Sequence, residues 1–130
     1  MSNVIDHLSL GVPNIEIASE FYDGLLKTLG VDRLAITPSF AAYGRETVQF
    51  LIMIPENGEL PTPGNGTHIC LTASDSSAVD QFHTYAVSNG GTCAGAPGPR
   101  PEYPLPNVYT AFVLDPYGNK LEAIYNGFAA

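Results

Sequence analysis

The candidate metal ligands of this sequence are His7, His68 and Glu122. The two histidines lie in similar short segments, DHLSL at residues 6–10 and THICL at residues 67–71. Glu122 is flanked by apolar residues in a predicted final strand, where alternation turns it inward, and an inward carboxylate is destabilising unless it is paired or metal-bound. Two imidazoles and one carboxylate form the facial set that holds Fe(II) with open positions and also accepts Mn(II), Zn(II) or Ni(II).

The two histidine segments belong to an internal repeat. In each half a Phe follows the histidine by 14 positions and a Gly follows it by 23, without a gap in the register. If the halves pack about a pseudo-twofold axis, the histidines occupy equivalent places. Equivalence favours a shared role as ligands over the alternative, which is two unrelated hydrogen-bonded strand residues.

Each half reads as a β-α-β-β-β unit, so the predicted fold class is α+β. A first strand over residues 3–12 precedes a helix that Asn14 can cap, and the serine and aspartate cluster at 74–77 can cap the helix of the second half. DPYG at residues 115–118 is typical of a type I turn. The strands predicted after the helices are 33–37, 40–43 and 47–54 in the first half, and 91–94, 108–115 and 119–126 in the second.

The length of the chain suits one compact domain. We predict a single domain over residues 1–130, made of two modules, 3–57 and 66–126, joined by a Pro- and Gly-rich linker at 57–66. A second Pro-rich stretch, 96–106, is long enough to act as a lid over a site.

The balance of charge excludes some partners. Five Lys and Arg against thirteen Asp and Glu give a net charge of −8, which disfavours nucleic acids, anionic membrane surfaces and phosphonate-like ligands. The sequence lacks a signal peptide and an apolar run of the roughly 20 residues that a membrane helix needs, so we expect a cytoplasmic protein. Cys70 and Cys93 are then expected to be reduced, without a role in the mechanism.

The candidate proton-handling, catalytic residues are Tyr103, Tyr109 and Arg100, which lie in or beside the Pro-rich stretch. The alternative interpretation is that both tyrosines pack within the loop and that Arg100 points to solvent. His83 lies on the second predicted helix, and we interpret it as a surface or helix-packing residue.

Three segments together resemble the vicinal-oxygen-chelate superfamily: IDHLSL at residues 5–10, GTHICL at 66–71 and FVLDPYGNKLEA at 112–123. That superfamily includes glyoxalase I, extradiol dioxygenases, fosfomycin-resistance enzymes and bleomycin-resistance proteins. The resemblance implies two β-α-β-β-β modules that form an incomplete eight-stranded barrel around a divalent metal. It also implies that the three candidate ligands hold this metal and that the protein forms a homodimer.

The first half departs from the four-ligand pattern that the resemblance implies for glyoxalase I. Alignment of the two halves places Val48 opposite Glu122, or Phe50 if a two-residue gap is allowed, so no carboxylate stands at the fourth position. Gln49 would reach that position only if the strand register shifted by one residue.

The leading hypothesis is a divalent-metal-dependent enzyme that acts on a small oxygenated substrate which chelates the metal. The reaction is that of a dioxygenase or of a glyoxalase-like lyase or isomerase. The alternative is a metal-free protein that sequesters a ligand, as bleomycin-resistance proteins do, and for such a protein the acidic charge favours a cationic ligand. A third reading is a catalytically silent relative that keeps the fold.

Overall fold

A computed structural model describes residues 4–129 of the chain. The chain divides into two compact units, the first ending at Thr62 and the second beginning at Pro63. Each unit contains one helix and one open four-stranded sheet in the order β-α-β-β-β, which confirms the predicted α+β class. Residue 3, where the first predicted strand and module begin, lies outside the described residues. Neither helix of the described chain has the length and apolar character needed to cross a membrane.

The first unit has the strand order β1-β4-β3-β2, in which β1 and β4 are parallel and the other neighbours are antiparallel. A parallel first pair requires a long crossover, and the helix with two strands supplies it. The elements are β1 (Leu8–Gly11), α1 (Ile15–Lys27), β2 (Asp32–Ile36), β3 (Phe40–Gly44) and β4 (Phe50–Met53).

Helix α1 begins where the sequence predicts it. The side chain of Asn14 accepts a hydrogen bond from the backbone N–H of Ile17 at 2.8 Å, which satisfies one of the donors that a helix start leaves unpaired. The buried face of the helix carries Tyr22, which is fully buried and lies 5.6 Å, between ring centroids, from Phe50 of β4. This contact fixes which face of the first sheet points to the helix.

The second unit repeats the arrangement with the order β5-β8-β7-β6 and a parallel β5–β8 pair. The Asp75 side chain caps the helix of this unit by accepting from the N–H of Ala78 at 2.8 Å. Phe82, on the buried face of the same helix, is fully buried. The elements are β5 (Ile69–Thr72), α2 (Ser76–Ser88), β6 (Thr92–Pro99), β7 (Tyr109–Leu114) and β8 (Lys120–Tyr125).

Strand pairing shows which residues of the two units are equivalent. Leu51 pairs with Ser9 in the first unit, and Glu122 pairs with Cys70 in the second. Ser9 and Cys70 are the second residues of the equivalent strands β1 and β5. Leu51 therefore occupies the place in the first sheet that Glu122 occupies in the second.

The alignment that placed Val48 or Phe50 opposite Glu122 is therefore wrong. Phe50 faces helix α1, where its ring meets Tyr22, because the strand register differs by one residue from the one that the alignment assumed. Gln49 lies two residues before Leu51 in the chain. Because side chains alternate along a strand, it points to the same side of the sheet as Leu51 without a register shift. The first unit still has no carboxylate at the fourth ligand position, as the alignment indicated, because Leu51 occupies that place.

Several strand boundaries differ from the predicted ones, and those near the candidate site residues matter most. Both histidines lie one residue before their strands rather than inside them, since β1 begins at Leu8 and β5 at Ile69. Strand β6 runs on into the Pro-rich stretch as far as Pro99, beyond the predicted end at residue 94. It is the edge strand of its sheet and contains register shifts, and both features allow proline within a strand. The loop before β7 accordingly begins at Arg100.

Candidate metal centre

A tight turn sets the position of Glu122. The backbone N–H of Gly118 donates to the carbonyl of Asp115 at 3.0 Å, and the buried Asp115 side chain accepts from the backbone N–H of Asn119 at 2.8 Å. Gly118 has a φ of 94°, a left-handed conformation that favours glycine. These bonds fix the register of the β7–β8 hairpin, in which Phe112 lies opposite Glu122.

The carboxylate of Glu122 is the centre of a buried hydrogen-bond network. Glu122 is 2% exposed, and its Oε1 lies 2.9 Å from His68 Nε2. Its Oε2 accepts from the hydroxyl of Tyr103 at 2.6 Å and from that of Thr110 at 2.7 Å. Burial acts to raise the pKa of Glu122, but the hydrogen bonds from Tyr103, Thr110 and His68 outweigh it and lower the pKa. The carboxylate is therefore ionised at neutral pH, and His68 Nε2–H donates to it.

Other side chains around Glu122 are aromatic, cationic or weakly polar. The ring centroid of Phe112 lies 5.8 Å from that of His68, and Lys120 Nζ lies 5.2 Å from the centroid of Phe112. Burial and the neighbouring Glu122 carboxylate raise the pKa of the Cys70 thiol. Cys70 is therefore protonated at neutral pH, and it fits the prediction of a thiol that is not a nucleophile.

The third candidate ligand, His7, belongs to the first unit, whereas His68 and Glu122 belong to the second. His7 is exposed, and its Nδ1 lies 2.6 Å from a carboxylate oxygen of Asp6, a contact that leaves Nε2 for a ligand. Within residues 4–129, no group of three or more His, Cys, Asp or Glu side chains has the arrangement of a metal site. The structure thus brings together two of the predicted ligands.

One of the three predicted proton-handling residues lies beside Glu122. Tyr103 contacts it directly, and burial together with that hydrogen bond raises the pKa of Tyr103, so its hydroxyl keeps its proton. The Tyr109 hydroxyl instead donates to Asp80 of α2 at 2.6 Å. The Arg100 guanidinium donates to backbone carbonyls of β6, the shortest bond being 2.8 Å. The structure therefore does not bring Tyr109 or Arg100 to the carboxylate.

Sequence reasoning missed Thr110, which is fully buried and bonded to Glu122. A signal for it exists, because counting back from the predicted turn pairs Phe112 with Glu122 and puts Thr110 on the same side of the sheet. His83, interpreted as a surface or packing residue, is partly buried on α2. Its Nε2 is buried and has no hydrogen-bond partner among the residues that the structure describes.

The donors at Glu122 fit a divalent metal. Two ligand atoms about 2.1 Å from one ion and at right angles to each other lie about 3.0 Å apart. The Nε2 of His68 and the Oε1 of Glu122 are 2.9 Å apart in their hydrogen bond, so an ion that replaced the Nε2 proton would contact both with little movement of either side chain. The carboxylate is also hydrogen-bonded by groups behind it, as metal-ligating carboxylates generally are.

Comparisons with known proteins agree with this fold. A crystal structure of a glyoxalase/bleomycin resistance protein from Albidiferax ferrireducens T118 is 33% identical, with a TM-score of 0.86 over 96% of this chain and 100% of that one. A glyoxalase/bleomycin resistance protein/dioxygenase family enzyme from Burkholderia phytofirmans PsJN is 20% identical, with a TM-score of 0.71 over 93% of this chain and 97% of that one.

A search of curated proteins finds no significant match. The family model for the Glyoxalase/Bleomycin resistance protein/Dioxygenase superfamily matches residues 4–123, which includes all three candidate ligands and both units. This extent confirms the resemblance drawn from the three sequence segments. The chain belongs to the Glyoxalase/Bleomycin resistance protein/Dioxygenase superfamily.

Proposed function

We propose that the protein is a divalent-metal-dependent enzyme acting on a small oxygenated substrate that chelates the metal. The observation that supports this most is the environment of Glu122. An ionised carboxylate that is 2% exposed requires compensation, and the described residues give it a contact with the ring of His68, whose side chain is itself 41% exposed. A bound cation would balance the carboxylate, and the open side of His68 would admit a substrate.

The proposed ligands are His7, His68 and Glu122, and the candidate ions are Fe(II), Mn(II), Ni(II) and Zn(II). The ion would polarise a substrate oxygen as a Lewis acid. Asp6 would hold the His7 ring through Nδ1, and Tyr103, whose hydroxyl stays protonated, would donate a hydrogen bond to the carboxylate.

Three protein ligands leave positions for a bidentate substrate, which suits a ring-cleaving dioxygenase or a glyoxalase-like lyase or isomerase. The presence of Leu51 at the place equivalent to Glu122 argues against the four-ligand glyoxalase I arrangement. Arg100 is engaged by carbonyls of β6, so a phosphonate substrate remains disfavoured.

The second candidate is a metal-free protein that sequesters a ligand. For such a protein the net charge of −8 favours a cationic ligand. A catalytically silent relative would also retain no metal, and it would bind no ligand. Metal content separates the first proposal from both alternatives.

We further propose a cytoplasmic homodimer. Cys70 and Cys93 are free thiols, a state that a reducing compartment maintains. Large apolar side chains are exposed, with Val4 92%, Leu60 84% and Phe128 75% accessible, and a second copy would cover such surface.

Light scattering at micromolar concentration should give twice the 13.8 kDa mass of the chain, and a single-chain mass would contradict the homodimer.

The test of metal dependence is reconstitution under anaerobic conditions with each candidate ion, followed by desalting and elemental analysis. Wild type should retain about one ion per chain, and His7→Ala, His68→Ala and Glu122→Gln should each retain less. His83→Ala is the matched control, because it removes a histidine that contacts none of the proposed ligands in its unit. Catechols and 2-oxoaldehyde thiol adducts are the first substrates to assay.

Retention of no ion by wild type, or equal retention by all three ligand variants, would transfer the proposal to the binding protein. Retention that depends on His68 and Glu122 but not on His7 would keep a metal site and remove the residue that the structure does not place beside the other two.

A further inference from the structure

The two oxygens of the Glu122 carboxylate have different surroundings. Oε1 lies 2.9 Å from His68 Nε2, and the Cys70 thiol also hydrogen-bonds the carboxylate. Oε2 accepts from both Tyr103 and Thr110, at 2.6 and 2.7 Å. Each carboxylate oxygen has two lone-pair sites, so the two hydroxyls fill the acceptor capacity of Oε2.

The two hydroxyls reach Oε2 from different parts of the second unit. Thr110 is a fully buried residue of β7. Its backbone pairs with Ile124 of β8, which lies two residues after Glu122. The carbonyl of Ala123, 2.8 Å from the Thr110 hydroxyl, is an alternative acceptor for its single proton. Tyr103 approaches from the loop before β7, where its backbone N–H donates to the carbonyl of Arg100 at 3.1 Å.

From this asymmetry we infer that Thr110 and Tyr103 are positioning residues that reserve Oε1 as the one metal-binding oxygen of Glu122. This inference rests on the proposed metal-dependent function. An ion that bound both oxygens would have to displace one of the hydroxyls from Oε2, and a displaced Tyr103 hydroxyl would lose the acceptor that the described residues give it. The two hydroxyls thereby favour a single-oxygen ligand and leave a further coordination position for substrate.

The experiment uses the full chain with Zn(II) as the probe. Zn(II) affinity is measured by competition with a chromophoric chelator for wild type, Thr110→Val, Tyr103→Phe and the double variant. Thr110→Ser restores the hydroxyl and is the rescue for Thr110→Val. The matched control is Tyr109→Phe, which removes a tyrosine hydroxyl bonded to a different carboxylate, that of Asp80.

We expect each single loss of a hydroxyl to lower Zn(II) affinity about 10-fold. This is the smallest loss of metal affinity that is typical when a residue hydrogen-bonded to a metal ligand is removed. Thr110→Ser and Tyr109→Phe should stay within about 2-fold of wild type on the same scale. Infrared difference spectra, assigned by subtracting Glu122→Gln, report how the carboxylate binds. The separation of its two stretching bands should be that of a one-oxygen ligand in wild type and should narrow in the double variant.

The outcomes are separable. If wild type binds no Zn(II), the metal-dependent function fails and this inference fails with it. If wild type binds through His68 and Glu122 but the double variant keeps both the affinity and the band separation, the positioning role alone is overturned. A loss of affinity in Thr110→Ser as large as that in Thr110→Val would also overturn it, because the hydroxyl would then not be the cause.

Discussion

The two units carry the same five elements but differ in chemistry at several equivalent positions, two of which form the centre of the candidate site. The second unit has Thr110 and Glu122, which bond to each other, where the first has Phe40 and Leu51. A buried donor or acceptor without its partner costs about 1–3 kcal/mol, whereas an apolar pair in the same places costs little. The comparison shows that the polar pair is either present together or absent together, while the backbone stays the same.

The largest expected effect tests what the units share. Phe21 of α1 and Phe82 of α2 occupy equivalent buried places, with 5% and 0% exposed. Replacing either by alanine leaves a cavity, so each change should reduce the free energy of unfolding by about 3–5 kcal/mol. Urea unfolding followed by circular dichroism measures this. A cost below about 1 kcal/mol for one of them would show that its unit does not depend on this core contact.

The next prediction concerns the position at which the units differ most. Glu122→Gln keeps the shape and an oxygen donor but removes the charge, so the affinity for Zn(II) should fall by about 10-fold or more. Asp80→Asn makes the same kind of change at a carboxylate that is bonded to Tyr109 instead, and it should leave the affinity unchanged. Chelator competition measures both. Equal effects of the two changes would mean that Glu122 is not a ligand.

Tyr43 gives a prediction specific to the first unit, because the equivalent residue of the second unit is Val113. The fully buried Tyr43 donates to Asp23 at 2.8 Å, and burial, reinforced by this hydrogen bond, raises the pKa of Tyr43. Tyr43→Phe should lower the free energy of unfolding by about 1–2 kcal/mol at neutral pH. Asp23 keeps its ion pair with Arg33 at 3.0 Å, which limits the cost.

The same residue makes stability depend on pH. The unfolded chain releases the tyrosine proton near pH 10, as tyrosine ordinarily does, whereas the folded protein keeps it to higher pH. The contribution of Tyr43 is therefore complete below about pH 10 and is lost as the pH rises further. Unfolding between about pH 9 and 11 should show a smaller decline for Tyr43→Phe than for wild type. Parallel declines would contradict the assigned cause.

The smallest expected effect comes from making the second unit resemble the first. The double change Thr110→Val and Glu122→Leu replaces both members of the polar pair, so the free energy of unfolding without metal should change by less than about 1 kcal/mol. Thr110→Val alone leaves the carboxylate short of a donor and should cost more than the double change. A double variant that is less stable than the single one would show that the carboxylate network stabilises the fold.

Much of the fold could be predicted from local sequence signals. The helix starts at Asn14 and Asp75 follow capping chemistry, and the turn at 115–118 follows from Pro and Gly at fixed positions. The strand register in the first unit could not, because apolar residues occupy both faces of β4 and alternation does not say which face meets the helix. That ambiguity produced the incorrect placement of Val48 or Phe50.

The candidate site was predictable in part. His68 and Glu122 could be identified because a histidine in a repeat and a carboxylate in an apolar strand are both unusual. Thr110 could not be separated from ordinary strand threonines without the pairing register. The partners of Tyr109 and Arg100 also depend on tertiary placement, since both side chains are long enough to reach several acceptors.

The prolines of β6 have a consequence for self-association. Pro97 and Pro99 lie in an edge strand and have no backbone N–H, so a strand from another molecule that approached this edge would meet two missing donors and a bulged register. Extension of the second sheet into a continuous intermolecular sheet is therefore disfavoured at β6. The same segment that closes one side of the sheet thus protects the protein against aggregation by edge-to-edge strand pairing, and a homodimer would have to form elsewhere.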